Sequence, residues 1–233
     1  MANFIESSAS LLSPATPAEG EALVRRIEES ARISHRSEDQ ATEGSWRRFV
    51  TFVVLERGDW SVTEHVSASA IFRISRGISH ELVRHRLFSY TQESTRFVNY
   101  AKRDADGKLV HQMEFIMPGE FLAGQLGADS EAAKDYMEGC IDAENRYVRQ
   151  IERGVKAQIA RDGLPIGLAT TIIVTGNLRS WHHFLSIRTT RETHPDFRKV
   201  TIPLLGQFRE RIPVLFDAIT PERKQSEAMA VNR

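Results

Sequence analysis

Residues Glu81 to Tyr100 read ELVRHRLFSYTQESTRFVNY. Arg84, His85 and Arg86 are consecutive, and Ser89, Ser94 and Arg96 follow at short spacing. Neighbours on a helix point about 100° apart, so three adjacent polar residues do not share a face. They suit a helix end, where they converge on an anion. Arginine offers a planar fork of donors that matches phosphate or carboxylate, and hydroxyls add short neutral donors. Leu82, Val83, Leu87, Phe88, Phe97 and Val98 interleave the run, and charges held among apolar neighbours need partners. The stretch reads as a phosphate cradle built from side chains. A solvated basic patch, or a nucleic-acid contact in which Tyr90, Phe97 and Tyr100 stack on bases, is the alternative.

The totals narrow the choice. Thirty-one basic and thirty-one acidic residues in 233 leave no basic excess, which argues against a general nucleic-acid binder. One cysteine, Cys140, excludes an intramolecular disulfide and a cysteine-based zinc site, and no metal site is expected. With no basic region and long apolar run at the N-terminus, and no stretch of roughly 20 apolar residues, the expectation is a cytoplasmic protein without a membrane partner.

Outward from the central stretch, Ser61–Ser75 alternates polar and apolar residues, as a strand with one buried face does, and Ser79 is placed to cap a short helix carrying Glu81–Arg86. Residues 1–14 read as an edge strand or loose arm. Helices are expected from Pro17 to an end in Ala31-Arg32-Ile33-Ser34, with Leu23, Ile27 and Ala31 on one face, and from Ser45 to Arg57, stopped by Gly58. Leu109–Ile116 reads as a strand, Ser130–Asp162 as the longest helix and TTIIVT (170–175) as a buried strand. Leu178–Thr189 reads as a helix, and Pro195–Ala218 as a last helix kinked or restarted at Pro203. Residues 220–233 read as a frayed tail. No repeat, low-complexity tract or linker divides the chain, so one domain over 1–233 is expected.

A second chemically loaded region runs from Ala160 to Arg188. His183 lies four residues after Arg179, on the same helix face. Arg188 lies five residues after His183, about 140° further round, and points to another ligand or a neighbouring subunit. Read without the central motif, these arginines are surface charges on an amphipathic helix. No GxGxxG or GxxxxGK[ST] occurs, so a Rossmann or P-loop site is not expected.

Arg84-His85-Arg86, Ser89, Gln92, Ser94 and Arg96 together resemble the RHRxxS signature of the flavin-dependent thymidylate synthases. Arg161 before Leu164-Pro165, Asn177-Leu178-Arg179, His183-Phe184, Arg188 and the segment Ala31-Arg32-Ile33-Ser34 extend the resemblance over roughly Ala31 to Arg198. It implies an α+β fold with a central antiparallel sheet flanked by long helices, and reductive methylation of dUMP to dTMP with FAD, NADPH and methylenetetrahydrofolate. By this resemblance Glu81, Arg84, Gln92, Glu93, Ser94, Thr95, Arg96, Arg161 and Arg188 bind dUMP, with Arg188 near the uracil carbonyls as the catalytic group. Ser61, Arg84, His85, Arg86, Gln92, Asn177, Leu178, Arg179 and His183 bind FAD. A homotetramer with sites shared between subunits is also implied, and no nucleic-acid partner. Glu81 stands where the family has glutamine, Asp59 where histidine is frequent and Thr91 where asparagine or serine is common, and Arg191-Glu192-Thr193-His194-Pro195 is unusual. Glu81 raises the further alternative of an altered substrate, because a carboxylate near phosphate is repulsive unless paired or protonated. The familiar cysteine nucleophile has no counterpart beyond Cys140, which no nearby His, Lys or Arg activates and whose expected role is packing.

Overall fold

A computed structural model describes residues 2–122 and 126–222; the remainder of the expected tail lies outside the described residues. The strands are β1 (Asn3–Ile5), β2 (Ser8–Ser13), β3 (Ser67–Ser75), β4 (Ser89–Gln92), β5 (Glu114–Ile116) and β6 (Ala169–Asn177). The helices are α1 (Pro17–Ile33), α2 (Ser45–Val50), α3 (Arg76–Leu82), α4 (Gly119–Leu122), α5 (Glu131–Glu152), α6 (Ala157–Ala160), α7 (Leu178–Arg188) and α8 (Pro195–Arg211). The fold is α+β. One sheet has the order β2-β3-β6-β4, and β1 pairs with β5 in parallel.

Side-chain bonds fix the register of β6 on β3. Ser69 meets Thr175 at 2.7 Å, and Arg73 Nη1 donates to Thr171 Oγ1 at 2.7 Å. As the number rises on β3 it falls on β6, which is the antiparallel pattern. Buried Ala68, Ala70, Phe72 and Ile74 alternate with more open Ser69, Ile71 and Arg73, so β3 keeps the expected one-sided burial.

Local signals account for the helix starts. Thr16 caps α1 by accepting from Glu19 N, with Pro17 in the first turn. Ser130 caps α5 through Ala133 N, Asn177 caps α7 through Ser180 N, and His194 caps α8 with Pro195 at its start.

Several expectations are corrected. Of the two readings of residues 1–14, the strand holds, at 3–5 and 8–13, and the loose arm does not. On α1, Val24, Ile27 and Ala31 are buried while Leu23 is only partly so. The helix begun at Ser45 widens into a π-turn over Thr51–Glu56 before Gly58, whose φ of +81° suits glycine, ends it. Trp60–His65 is a 3-10 helix rather than strand, because the Trp60 ring packs 4.2 Å from His182. Ser75, not Ser79, caps α3, and the helix stops at Leu82, so Arg84–Arg86 lie beyond it. The long helix expected to reach Asp162 breaks after Glu152, then resumes as α6 and a 3-10 turn at Arg161–Gly163. The expected strand at Leu109–Ile116 is confined to β5. Pro203 neither ends nor restarts α8, but the helix stops at Arg211 rather than Ala218.

The chain divides into two compact units. The first comprises residues 1–8, 73–84 and 91–172, the second 9–72, 85–90 and 173–233. In the first, Tyr100, Met113, Phe115, Cys140, Tyr147 and Leu168 form a buried cluster. Burial raises the Cys140 thiol pKa, so Cys140 is a core residue. In the second, Trp181, Phe184, Phe197, Phe208 and Phe216 build a core of tilted and edge-on ring pairs where α7 packs on α8. Among the described residues no helix is long and apolar enough to cross a membrane.

Candidate functional site

The first unit holds Glu81, Arg84, Gln92–Arg96 and Arg161. Gln92 ends β4 and donates its amide to Ser79 Oγ at 3.0 Å and Thr170 Oγ1 at 3.2 Å. Past Gln92 the chain turns: Phe97 N and Val98 N both donate to Ser94 O, and Ser94 Oγ accepts from Arg96 N. This turn offers the Ser94 hydroxyl and an exposed Arg96. Arg161 Nη1 reaches Thr95 Oγ1 at 3.3 Å, so a second cation joins the same turn from a distant part of the sequence. Arg84 is exposed just past α3, and Glu81 is half-buried on the last turn of that helix.

Glu93 faces the other way. Its carboxylate accepts from Arg73 Nη1 at 3.1 Å, Tyr100 Oη at 2.9 Å and Thr171 N at 3.3 Å. Arg73 donates its other arm to Glu114, and Arg76 Nη2 donates to the Glu93 carbonyl at 2.8 Å. Burial, then Glu93, pushes the Tyr100 hydroxyl pKa up. Sequence reasoning missed Arg73, Arg76 and Glu114, and offered Tyr100 only as a stacking residue. The only trace was Arg73 on the polar side of the β3 alternation.

The second unit holds Ser61, His85, Arg86, Asn177–Arg179, His183 and Arg188. Arg188, the last residue of α7, donates Nε–H to His85 Nε2 at 2.9 Å and lays its guanidinium 5.2 Å over the Phe197 ring. Arginine only donates, so His85 Nε2 accepts and the neutral ring carries its proton on Nδ1. Burial, then the positive Arg188, then His183 lower the His85 pKa to about 4. The His85 ring meets Phe184 edge-on at 4.9 Å, and Tyr90 Oη donates to the His85 carbonyl at 2.7 Å. Burial raises Tyr90 to about 12, which keeps its proton in place. Arg188 and His183 were expected to point apart; both act on His85, which the fold brings against α7.

The remaining residues of this set are spread over neighbouring surfaces. Arg179 pairs with Glu64 at 2.5 Å, and burial with Arg179 lowers the His183 pKa. Asn177 spends its carbonyl oxygen on Ser180 N at 2.8 Å, and Leu178 is buried with its N–H on Val66 O. Arg86 is exposed. Ser61 lines an open cavity of about 1780 Å³ that also takes in Arg32, His35, Arg47, Arg48 and His65. Glu56 and Asp59 share the lining, and Arg32 is already paired with Glu28. Gly176 leaves room for Phe88: a Cβ there would come 2.2 Å from the ring, and Phe88 in turn packs on Trp181 and Phe184. Among the described residues no cluster of His, Cys, Asp and Glu could hold a metal ion.

Comparison with known proteins decides the family. A family model described as thymidylate synthase complementing protein (Thy1) matches residues 21–214. The chain belongs to the Thy1 family. Flavin-dependent thymidylate synthases of Corynebacterium aurimucosum and Mycobacteroides abscessus are 34% and 35% identical to it over 170 and 184 residues. These alignments take in 70% and 76% of the chain, which spans only about two thirds of those Thy1 relatives' lengths, 66% and 69%. A UMP/dUMP methylase from Streptomyces cacaoi, solved with 5-Br dUMP, shares the fold with a TM-score of 0.69 at 23% identity, covering 98% of this chain and 96% of that one.

Proposed function

We propose that this Thy1 protein is a flavin-dependent thymidylate synthase, methylating dUMP reductively to dTMP with methylenetetrahydrofolate as carbon donor and NADPH as reductant. The observation that carries the reading is Arg188, a cation held between His85 of the RHR run and Phe197. The name of the sequence relatives, flavin-dependent thymidylate synthase, supports the flavin, and that of the structural neighbour, a UMP/dUMP methylase solved with 5-Br dUMP, supports the uridylate substrate.

The donor set fits FAD. Arg86, Arg179, His183, Ser61 and the amide nitrogen of Asn177 are cationic or polar groups of the kind a flavin diphosphate and isoalloxazine carbonyls take up. Arg84, His85, Gln92 and Leu178 are further flavin candidates by resemblance, although Gln92 spends its amide on Ser79 and Thr170 and Leu178 its N–H on Val66 O. When bound, the flavin supplies reducing equivalents, and the chain's part is orientation and electrostatics. Ser94, Thr95, Arg96, Arg84 and Arg161 bind the dUMP phosphate as charge-assisted and hydroxyl donors, while Glu81 and Gln92 contact the nucleotide. Arg188 puts fixed positive charge where negative charge grows on the uracil carbonyl side, favouring the ionised base. No thiol takes part, consistent with the buried Cys140. The chain works as one functional domain over 1–233, in a homotetramer whose subunits share sites, in the cytoplasm.

The test is direct. The purified protein is yellow with flavin absorbance, and with dUMP, methylenetetrahydrofolate and NADPH it forms dTMP. A colourless protein that cannot be reconstituted with FAD and forms no dTMP overturns the reading.

A further inference from the structure

We infer that Glu93 is a positioning residue for the phosphate-binding turn Ser94–Arg96, acting through Arg73 and Tyr100, and does not itself touch the nucleotide. The inference rests on the dUMP reading above and differs from the role that resemblance gives Glu93.

Each polar point of Glu93 is engaged inside its own unit. Its N–H donates to Thr171 O at 2.9 Å and its carbonyl accepts from Arg76. One carboxylate oxygen takes the Tyr100 hydroxyl; the other takes Arg73 and the Thr171 N–H. The partners are themselves fixed. Arg73 also holds Thr171 Oγ1 and Glu114, Glu114 accepts from Asn3 Nδ2 at 3.2 Å, and buried Tyr100 packs against Tyr147. Glu93 is thus the last residue bonded to β6 before the chain turns to present Ser94, Thr95 and Arg96. A turn bound at one end by a latch of this kind loses little conformational entropy when a phosphate arrives.

A carboxylate one residue from an anion site has two opposite effects. As a bare charge it repels phosphate, so its removal tightens binding. As a latch it orders the donors, so its removal weakens binding. Arg73, held between Glu93 and Glu114, and Arg76 on the Glu93 carbonyl together offset the two carboxylates, which leaves the latch dominant.

The flavin-loaded protein is tested by calorimetric titration with dUMP and by steady-state dTMP formation. Glu93→Ala is expected to raise the dUMP Kd and KM about tenfold, the scale of one lost charge-assisted hydrogen bond, with flavin content and kcat at saturating dUMP near wild type. Glu93→Gln keeps an acceptor for Tyr100 and is expected to lose about threefold, as is Tyr100→Phe, in keeping with a single bond. Combining Tyr100→Phe with Glu93→Ala is expected to add nothing, since both break one latch. Unchanged or tighter dUMP binding by Glu93→Ala, a fall in kcat without a change in KM, or additive losses in the double variant overturns the inference. If Glu93→Ala does not fold, the same criteria apply to Glu93→Gln and Tyr100→Phe. Wild-type protein that binds no dUMP overturns the functional reading and this inference with it; wild type that binds dUMP beside unaltered variants overturns the inference alone.

Discussion

Two regions of the candidate site handle charge differently. Around Glu93, the chain meets its own cations with its own anions: Arg73 sits between Glu93 and Glu114, and Arg161 lies 3.8 Å from Asp162. Around His85, the Arg188 guanidinium meets a neutral imidazole and the face of a phenyl ring. An imidazole nitrogen and a ring quadrupole orient the guanidinium. The first arrangement fixes backbone; the second aims a charge. Nucleotide binding should therefore depend on the first region and turnover on the second.

The largest expected effect separates these roles. Arg188→Ala should lower dTMP formation by about 10²–10³-fold, the loss typical of one preorganised charge at a developing anion, with flavin still bound by absorbance. Arg161→Ala should instead raise the dUMP KM by about tenfold, one charge-assisted contact, and leave kcat largely intact. Equal effects of both variants on KM and kcat break the contrast.

Gly176→Ala tests how tightly the His85 region is packed. The added methyl collides with Phe88, and overpacking of this kind costs about 1–3 kcal/mol. Urea unfolding should show the loss, and dTMP formation should fall because Phe88 packs beside His85. A stability equal to wild type would mean that Phe88 has room to move.

The same region sets an acid sensitivity. Burial is the leading cause that holds His85 and His182 at about 4, below the ordinary 6.5. Between about pH 6.5 and 4 the unfolded chain binds more protons than the folded one, so the contribution of these imidazoles is full above 6.5 and lost as pH falls through 4. The urea midpoint should drop across that window, and His182→Gln should flatten the drop. An identical slope in the variant removes His182 from the account.

The smallest effect concerns how Arg188 is mounted. Buried Thr201 on α8 donates to the Arg188 carbonyl at 2.7 Å. Thr201→Val should cost about 1 kcal/mol and lower kcat modestly, and Thr201→Ser should restore both. A full-activity valine variant would leave Phe197 and His85 as the groups that aim Arg188.

Much of the architecture was legible in local chemistry. Pro17 and Pro195 at helix starts, the β3 alternation and the TTIIVT run each need only neighbours within a few residues. Signals that depend on distant packing were not legible. Ser61–His65 reads as part of the strand alternation yet lies in a 3-10 helix, where Trp60 packs on His182. Four-residue β4 is too short for a periodicity and exists because β6 offers it an edge. In the candidate site the RHR run and the Arg179–His183 spacing were visible, but the direction in which Glu93 points was not.

The sequence by itself determined the family, through the motif from Arg84 to Arg96 with the arginines after β6, and most helix and strand positions, because these follow from residue order and short-range periodicity. Tertiary structure alone decided the partners: His85 on Arg188, 103 residues apart, and Arg73 on Glu93 and Glu114, 20 and 41 residues apart. A side chain's partner is set by which strands lie side by side and by what burial demands of each charge, and neither is written within a few residues of the group it governs.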